Sequence, residues 1–216
     1  MATNRPFCIR CLKCQLTCYC AELRPFRTNV QIVILQHPLE RRKAIGTARM
    51  THLSIEGSLL IQGKEFMTNT RVNTLIADPK NHCIVLYPGK KSQNISLASD
   101  DEIRKSFPSD KKILLFIIDG TWTHAQRMLR LSPNLLALHQ ICFTPKNRSD
   151  YRIRQQPAEY CLSTIEAVHQ ILGHLESSVN ADILLKVFRH MVDQQIQITN
   201  DHLAKSGKHV NFTGAI

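Results

Sequence analysis

Two short stretches carry most of the chemistry-bearing residues. The first is CIRCLKCQLTCYC, which places five of the eight cysteines between positions 8 and 20. Cys8-x2-Cys11 and Cys18-x-Cys20 form two close pairs separated by six residues. A disulfide framework belongs to small secreted proteins, and the N-terminus MATNRPF has no apolar signal-peptide core. Metal binding is the better account. Four thiolates satisfy the tetrahedral preference of zinc and leave no open position, so Cys8, Cys11, Cys18 and Cys20 are candidate ligands of a structural Zn²⁺. Cys14 lies inside the loop and is a fifth thiol able to replace one of them. Cys83, Cys142 and Cys161 stand alone and read as core residues.

The second stretch is DGTW, Asp119 to Trp122, which holds the only tryptophan. Asp119 directly follows an apolar run, so its carboxylate lies at a low-dielectric edge where its pKa rises. Such a group accepts a proton or orients a donor. Gly120 lets the chain turn and a ligand approach, and Trp122 offers a stacking face. The plainer reading is a strand-to-helix turn, with Thr123-x-x-Gln126 at capping-box spacing and Trp122 in the core. The residues alone favour neither.

Three further signals accompany it. HPLERR sets His37, Glu40, Arg41 and Arg42 just after an apolar run, a combination suited to phosphate or base recognition. LYPG, from Leu86, is a turn with exposed backbone groups. LSTIEA has Ser163-x-x-Glu166 at capping-box spacing, and a helix start of that kind also attracts a carboxylate or phosphate. No P-loop, no GxGxxG after a strand, no HExxH and no GxSxG occurs, which removes most ATPase, Rossmann dehydrogenase, zincin and α/β-hydrolase readings.

The elements that must position these residues are strands alternating with helices. NVQIVIL, NTLIADP, HCIVLYPG, KKILLFIID and HQICF read as strands. RRKAIGTARMTHLSI (in part), SDDEIRKSF, WTHAQRMLRLS, CLSTIEAVHQILGHLE and ADILLKVFRHMVDQQIQI read as helices. The alternation predicts an α/β domain with a largely parallel sheet. Ligands of such sheets sit beyond the carboxyl ends of the strands, so the four signals should converge on one crevice. The clear boundary falls near residue 24, giving a knuckle (1–24), a main domain (25–200) and a tail (201–216).

The chain of 216 residues is long enough for one sizeable core. Its apolar runs are too short to span a bilayer, and a soluble, cytoplasmic protein is expected. Lys and Arg outnumber Asp and Glu by 28 to 17. The bases cluster at Arg5–Arg27, Arg41–Arg49 and Lys146–Arg154, with Arg152 and Arg154 in the last group. That pattern favours a nucleic acid as partner, and nothing calls for an obligate protein partner.

In order, CxxC-x6-CxC, HPLERR, LYP, DGTW and YRIR…STIEA resemble the motifs of the DTW-domain proteins, from Cys8 to Leu175. The resemblance implies a tRNA-uridine aminocarboxypropyltransferase. Such an enzyme moves the 3-amino-3-carboxypropyl group of S-adenosylmethionine to N3 of a uridine in tRNA and releases methylthioadenosine. It implies a SPOUT-like fold with a C-terminal trefoil knot that holds the cofactor. By resemblance, Asp119, Thr121 and Trp122 form the catalytic signature. Leu86, Tyr87, Pro88 and the Ser163, Thr164 and Glu166 turn would line the cofactor pocket beside Gly120. His37, Glu40 and Arg49 would face the tRNA or the transferred chain. Many members carry proline where this chain has Cys14. Two other readings stay open: a SPOUT-like methyltransferase using the same cofactor, and a non-enzymatic zinc-knuckle RNA-binding module. His37 and His124 compete with Asp119 as the base, because imidazole titrates nearer neutrality.

Overall fold

The computed structural model describes residues 6–43, 45–154 and 161–205, with the side chains of Arg42, Asp100 and Arg104 outside that description. Arg5 and residues 206–216 of the expected tail also lie outside it. Six strands form one sheet: β1 (Gln31–Gln36), β2 (Leu59–Gln62), β3 (Asn81–Leu86), β4 (Gln93–Asn94), β5 (Lys112–Asp119) and β6 (His139–Cys142). Their order is β2-β1-β5-β3-β6-β4, and every pairing is parallel. Parallel neighbours need long crossovers, supplied by α1 (Ala48–Ser54), α2 (Thr70–Ala77), α3 (Asp100–Ser106), α4 (Trp122–Arg130) and α5 (Pro133–Leu136). Two longer helices, α6 (Thr164–Leu175) and α7 (Asp182–Lys205), follow the last strand.

The central strands are covered on both faces, which is why β5 reads as an unbroken apolar run rather than an alternation. Ile32, Ile34, Ile84, Leu115, Ile117 and Ile141 pack against α1, α6, α7 and the cysteine knuckle. Val33, Leu35, Val85, Leu114 and Phe116 pack against α2, α4 and α5. The start of β1 is pinned by Glu176, whose carboxylate accepts hydrogen bonds from Thr28 Oγ1, the Asn29 amide and Asn29 Nδ2.

Two local expectations are corrected. NTLIADP is not a strand but the second half of α2. Asn69 caps that helix by accepting from the Val72 amide at 3.0 Å, and Val72, Leu75 and Ile76 turn to one side at helical spacing. A three-residue apolar run fits either period, and the cap decides it. The edge position of the sheet goes instead to β2, whose LLIQ is short and follows Gly57 at φ +73°. At DGTW the helix starts at Trp122, and its cap is Thr121 rather than Thr123. The Thr121 hydroxyl accepts from the His124 amide at 3.3 Å. The expected Ser163–Glu166 capping box is present.

Candidate active site and metal centre

A crevice of about 420 Å³ opens at the carboxyl ends of the central strands, where parallel sheets collect ligands. Its lining draws on every one of the four motifs. Leu86, Tyr87 and Pro88 come from the end of β3, Asp119 to Trp122 from the end of β5, Ser163 and Thr164 from the start of α6, and Glu40 from the turn after β1.

Asp119 is the last residue of β5, in register with Gln36 at the end of β1. One carboxylate oxygen accepts from Thr164 Oγ1 at 2.6 Å, the other from Gln36 Nε2 at 3.0 Å. Burial pushes its pKa above the ordinary carboxylate range, and the negative charge of Glu40 acts in the same direction. The bonds from Thr164 and Gln36 and the charge of Lys43 oppose the rise. The result is a fixed acceptor with a raised proton affinity on the wall of a cavity. Glu40 is itself buried and pairs with Lys43 Nζ at 2.7 Å.

Trp122 leaves the core: it is 45% exposed, and its indole N–H points at Cys161 Sγ, 3.4 Å away. Gly120 has ordinary negative-φ backbone; a side chain there would crowd His124 Cβ at 3.1 Å, so its smallness lets α4 start close to the strand.

His37 is placed elsewhere. Alternation along the strand turns Gln36 toward Asp119 and His37 to the other face, where it is 6% exposed and stacks on His124 with ring centroids 3.9 Å apart. Burial, and then His124, push its pKa down. Neither imidazole lines the crevice. Arg154 does, whereas Arg152 is engaged by Asp193 at 2.5 Å. Arg41 and Arg49 line a second cavity beside the knuckle. Arg42 shares the turn Glu40–Arg42, with its side chain outside the described set.

Glu166 is off the crevice lining too. Its carboxylate accepts from the Ser163 amide (2.8 Å), Ser163 Oγ (2.6 Å), the Asp150 amide (2.7 Å) and Ser149 Oγ (2.9 Å). It ties the 149–150 turn to the start of α6 and so holds the wall of the site. Glu166→Ala strands the buried Ser163 amide and the part-buried Asp150 amide, and should lower stability by about 2–4 kcal/mol. Urea denaturation with an unchanged slope checks this; a loss under ~0.5 kcal/mol would show the box to be dispensable.

Residues not singled out individually in the sequence complete the crevice: Lys43, Thr47, Phe143 and Tyr151, the last donating its hydroxyl to the Ile45 carbonyl. Gln36, which fixes Asp119, is signalled only by being the polar end of an apolar strand.

The cysteine set is assembled as its spacing suggests. The sulfurs of Cys8, Cys11, Cys18 and Cys20 all lie within 4.8 Å of one another, with Cys8–Cys20 and Cys11–Cys18 at 3.7 Å. A tetrahedron with Zn–S bonds of about 2.3 Å has edges of roughly 3.8 Å, so the donor set fits zinc. Cys14 stands outside, its sulfur 3.1 Å from Thr17 Oγ1. Backbone amides of Cys11 and Arg10 hold the Cys8 thiol down to about 6, whereas burial pushes the Cys11 and Cys20 thiols up, so a metal binding here would displace their protons. The knuckle is welded to the fold: Cys11, Tyr19 and Leu23 join the core, and Arg49 donates to the Arg10 carbonyl at 3.1 Å.

A family model described as DTW domain matches residues 5–196. A Drosophila melanogaster protein named tRNA-uridine aminocarboxypropyltransferase 2 is 34% identical over 81% of this chain and 68% of its own length. The Macaca fascicularis protein of the same name is 28% identical over 95% and 71%. An Arabidopsis thaliana protein named tRNA-uridine aminocarboxypropyltransferase A is 26% identical over 80% and 74%. No solved structure matches.

Proposed function

The chain belongs to the DTW domain family, and on that premise we propose that it transfers the 3-amino-3-carboxypropyl group of S-adenosylmethionine to N3 of a uridine in tRNA. The observation that carries the reading is Asp119, held by Thr164 and Gln36 on the wall of the crevice with its proton affinity raised. In the reaction, uridine N3 attacks Cγ of the methionyl chain. The Cγ–S bond breaks, its electron pair returns to sulfur, and neutral methylthioadenosine leaves. The N3 proton passes to the Asp119 carboxylate. Sulfonium is already a good leaving group, so the protein's task is to present Cγ rather than the methyl carbon, a matter of orientation.

Apolar Leu86, Tyr87, Pro88 and Phe143 suit the adenosine and its thioether, while Glu40, Lys43 and Arg154 suit the amino-acid end or a phosphate. Trp122 offers its exposed face to a base. Thr121 caps α4 and Ser163 caps α6, so both act by fixing the walls. The four-cysteine zinc site serves structure and supplies no chemistry to the transfer. A SPOUT-like relationship with a C-terminal trefoil knot is part of the proposal, and so is the division into knuckle (1–24), catalytic domain (25–200) and tail (201–216). Among the described residues no helix is long and apolar enough to cross a membrane; thiols gathered for a metal suit the reducing cytoplasm.

Incubation with S-adenosylmethionine and tRNA tests the reading. Methylthioadenosine should appear in proportion to modified uridine. S-adenosylhomocysteine would make the protein a methyltransferase, and tight tRNA binding with no turnover would make it a binding module.

A further inference from the structure

We infer that the second cavity, between the cysteine knuckle and the segment after β1, binds the nucleotide next to the target uridine, its phosphate on Lys13 and Arg49 and its base against Phe7 and Leu12. The inference rests on the tRNA reading above. The cavity has a volume of about 620 Å³ and is walled by the knuckle, the segment from Gln36 to Arg49, and Gln195 of α7. It shares Glu40, Lys43 and Gly46 with the crevice, so the two spaces adjoin along one seam. A strand that places its uracil in the crevice must carry a neighbouring nucleotide across that seam.

The walls suit a nucleotide. Lys13, Arg41, Lys43 and Arg49 bring positive charge. Glu40 is the only carboxylate among the described lining residues, and it is already paired with Lys43. Lys13 and Arg49 donate to the backbone carbonyls of Lys43 (3.0 Å) and Arg10 (3.1 Å), which fixes their heads without cancelling their charge. Beside these cations stand two large apolar side chains, Phe7 at 68% exposure and Leu12 at 38%. Cations alternating with apolar faces are how single strands are gripped, phosphate on one and base on the other. The knuckle presents them rigidly. The Leu12 amide donates to the Cys8 carbonyl and the Cys8 amide to the Lys13 carbonyl, both at 2.8 Å, and Leu12 is held at φ 59°, a left-handed conformation that a leucine seldom adopts unless its surroundings impose it. An acidic peptide would match the charge, but not the seam shared with a site for uridine.

The test uses full-length protein and tRNA assembled with either an abasic sugar or a methylphosphonate linkage at the nucleotide flanking the modified uridine, on each side in turn. On one side, each change should raise the KM for tRNA about tenfold with kcat nearly unchanged. Phe7→Ala with Leu12→Ala should no longer sense the missing base yet still sense the missing charge. Lys13→Met with Arg49→Met should do the reverse, and their salt slope should fall by about one for each phosphate they no longer hold. Arg49→Met alone supplies the charge arm should the Lys13 variant fail to hold zinc. Folded variants that keep the full penalty they are meant to erase overturn the inference, as does cross-linking of an acidic peptide in preference to RNA. If wild-type protein modifies no uridine, the reading beneath it falls and this inference with it.

Discussion

Asp119→Asn should slow single-turnover uridine modification by roughly 10²–10⁴-fold, the usual loss when a general base is removed. Affinities for S-adenosylmethionine and tRNA should change far less, because the lost interaction develops in the transition state. The substitution is nearly isosteric. The asparagine oxygen can still accept from Thr164, and Gln36 can turn its amide to accept the new N–H. Stability gives a second, independent reading. Burial raises the Asp119 pKa above its unfolded value, so the folded state binds this proton more tightly than the unfolded chain. That advantage is present at low pH and is lost as pH rises through the folded pKa. At neutral pH the ionised carboxylate is therefore a cost, and Asp119→Asn should melt no lower than wild type, an exchange of activity for stability. The acidic limb of the rate profile should lie above the ordinary carboxylate range in the wild type and vanish in the variant. Wild-type turnover by Asp119→Asn, with His37→Ala or His124→Ala inactive, would make the stacked histidine pair the base.

The second large effect concerns zinc. Protein purified without added metal should carry about one Zn²⁺ per chain. Structural zinc sites contribute about 10–16 kcal/mol of apparent binding energy, comparable to or more than the whole stability of a typical domain. Removing the metal, or one ligand as in Cys18→Ser, should therefore unfold at least the knuckle. Because Cys11, Tyr19 and Leu23 belong to the main core, the loss should reach α7 as well. Metal analysis and limited trypsin digestion at Arg10 and Lys13 read both consequences. Cys14→Ser is the discriminating control: its sulfur lies outside the tetrad, so zinc should stay at one equivalent. Full zinc in Cys18→Ser with loss in Cys14→Ser would reassign the ligand set.

Much of the site was legible because its signals are local. The spacing from Cys8 to Cys20 brings four thiols of one short segment around one point. Asp119 follows four buried residues of β5, Leu114 to Ile117, so its place at a strand end needs only the apolar run to be seen. The Ser163–Glu166 box is set by three residues of helix geometry. What escaped depends on packing between distant segments. The role of Gln36 needs the β1–β5 register, and the face His37 takes needs to be counted from a strand end that Pro38 obscures. Lys43 and Tyr151 reach the crevice from loops that have no periodicity to read, and Phe143 from just past the end of β6. α2 reads as a strand because Leu75, Ile76 and Ala77 satisfy both periods locally, and only the Asn69 cap tells them apart.

On the proposed reaction the transferred carbon is Cγ of the methionyl chain, not the S-methyl carbon. This is tested most directly with two labelled donors, S-adenosylmethionine carrying isotope at the methionyl carboxyl carbon or at the S-methyl group, each incubated with tRNA and followed by nucleoside mass spectrometry. Carboxyl-carbon label should enter one uridine and methyl label should leave entirely in methylthioadenosine. Methyl label in the tRNA, with the carboxyl label retained in S-adenosylhomocysteine, would make the protein a methyltransferase instead.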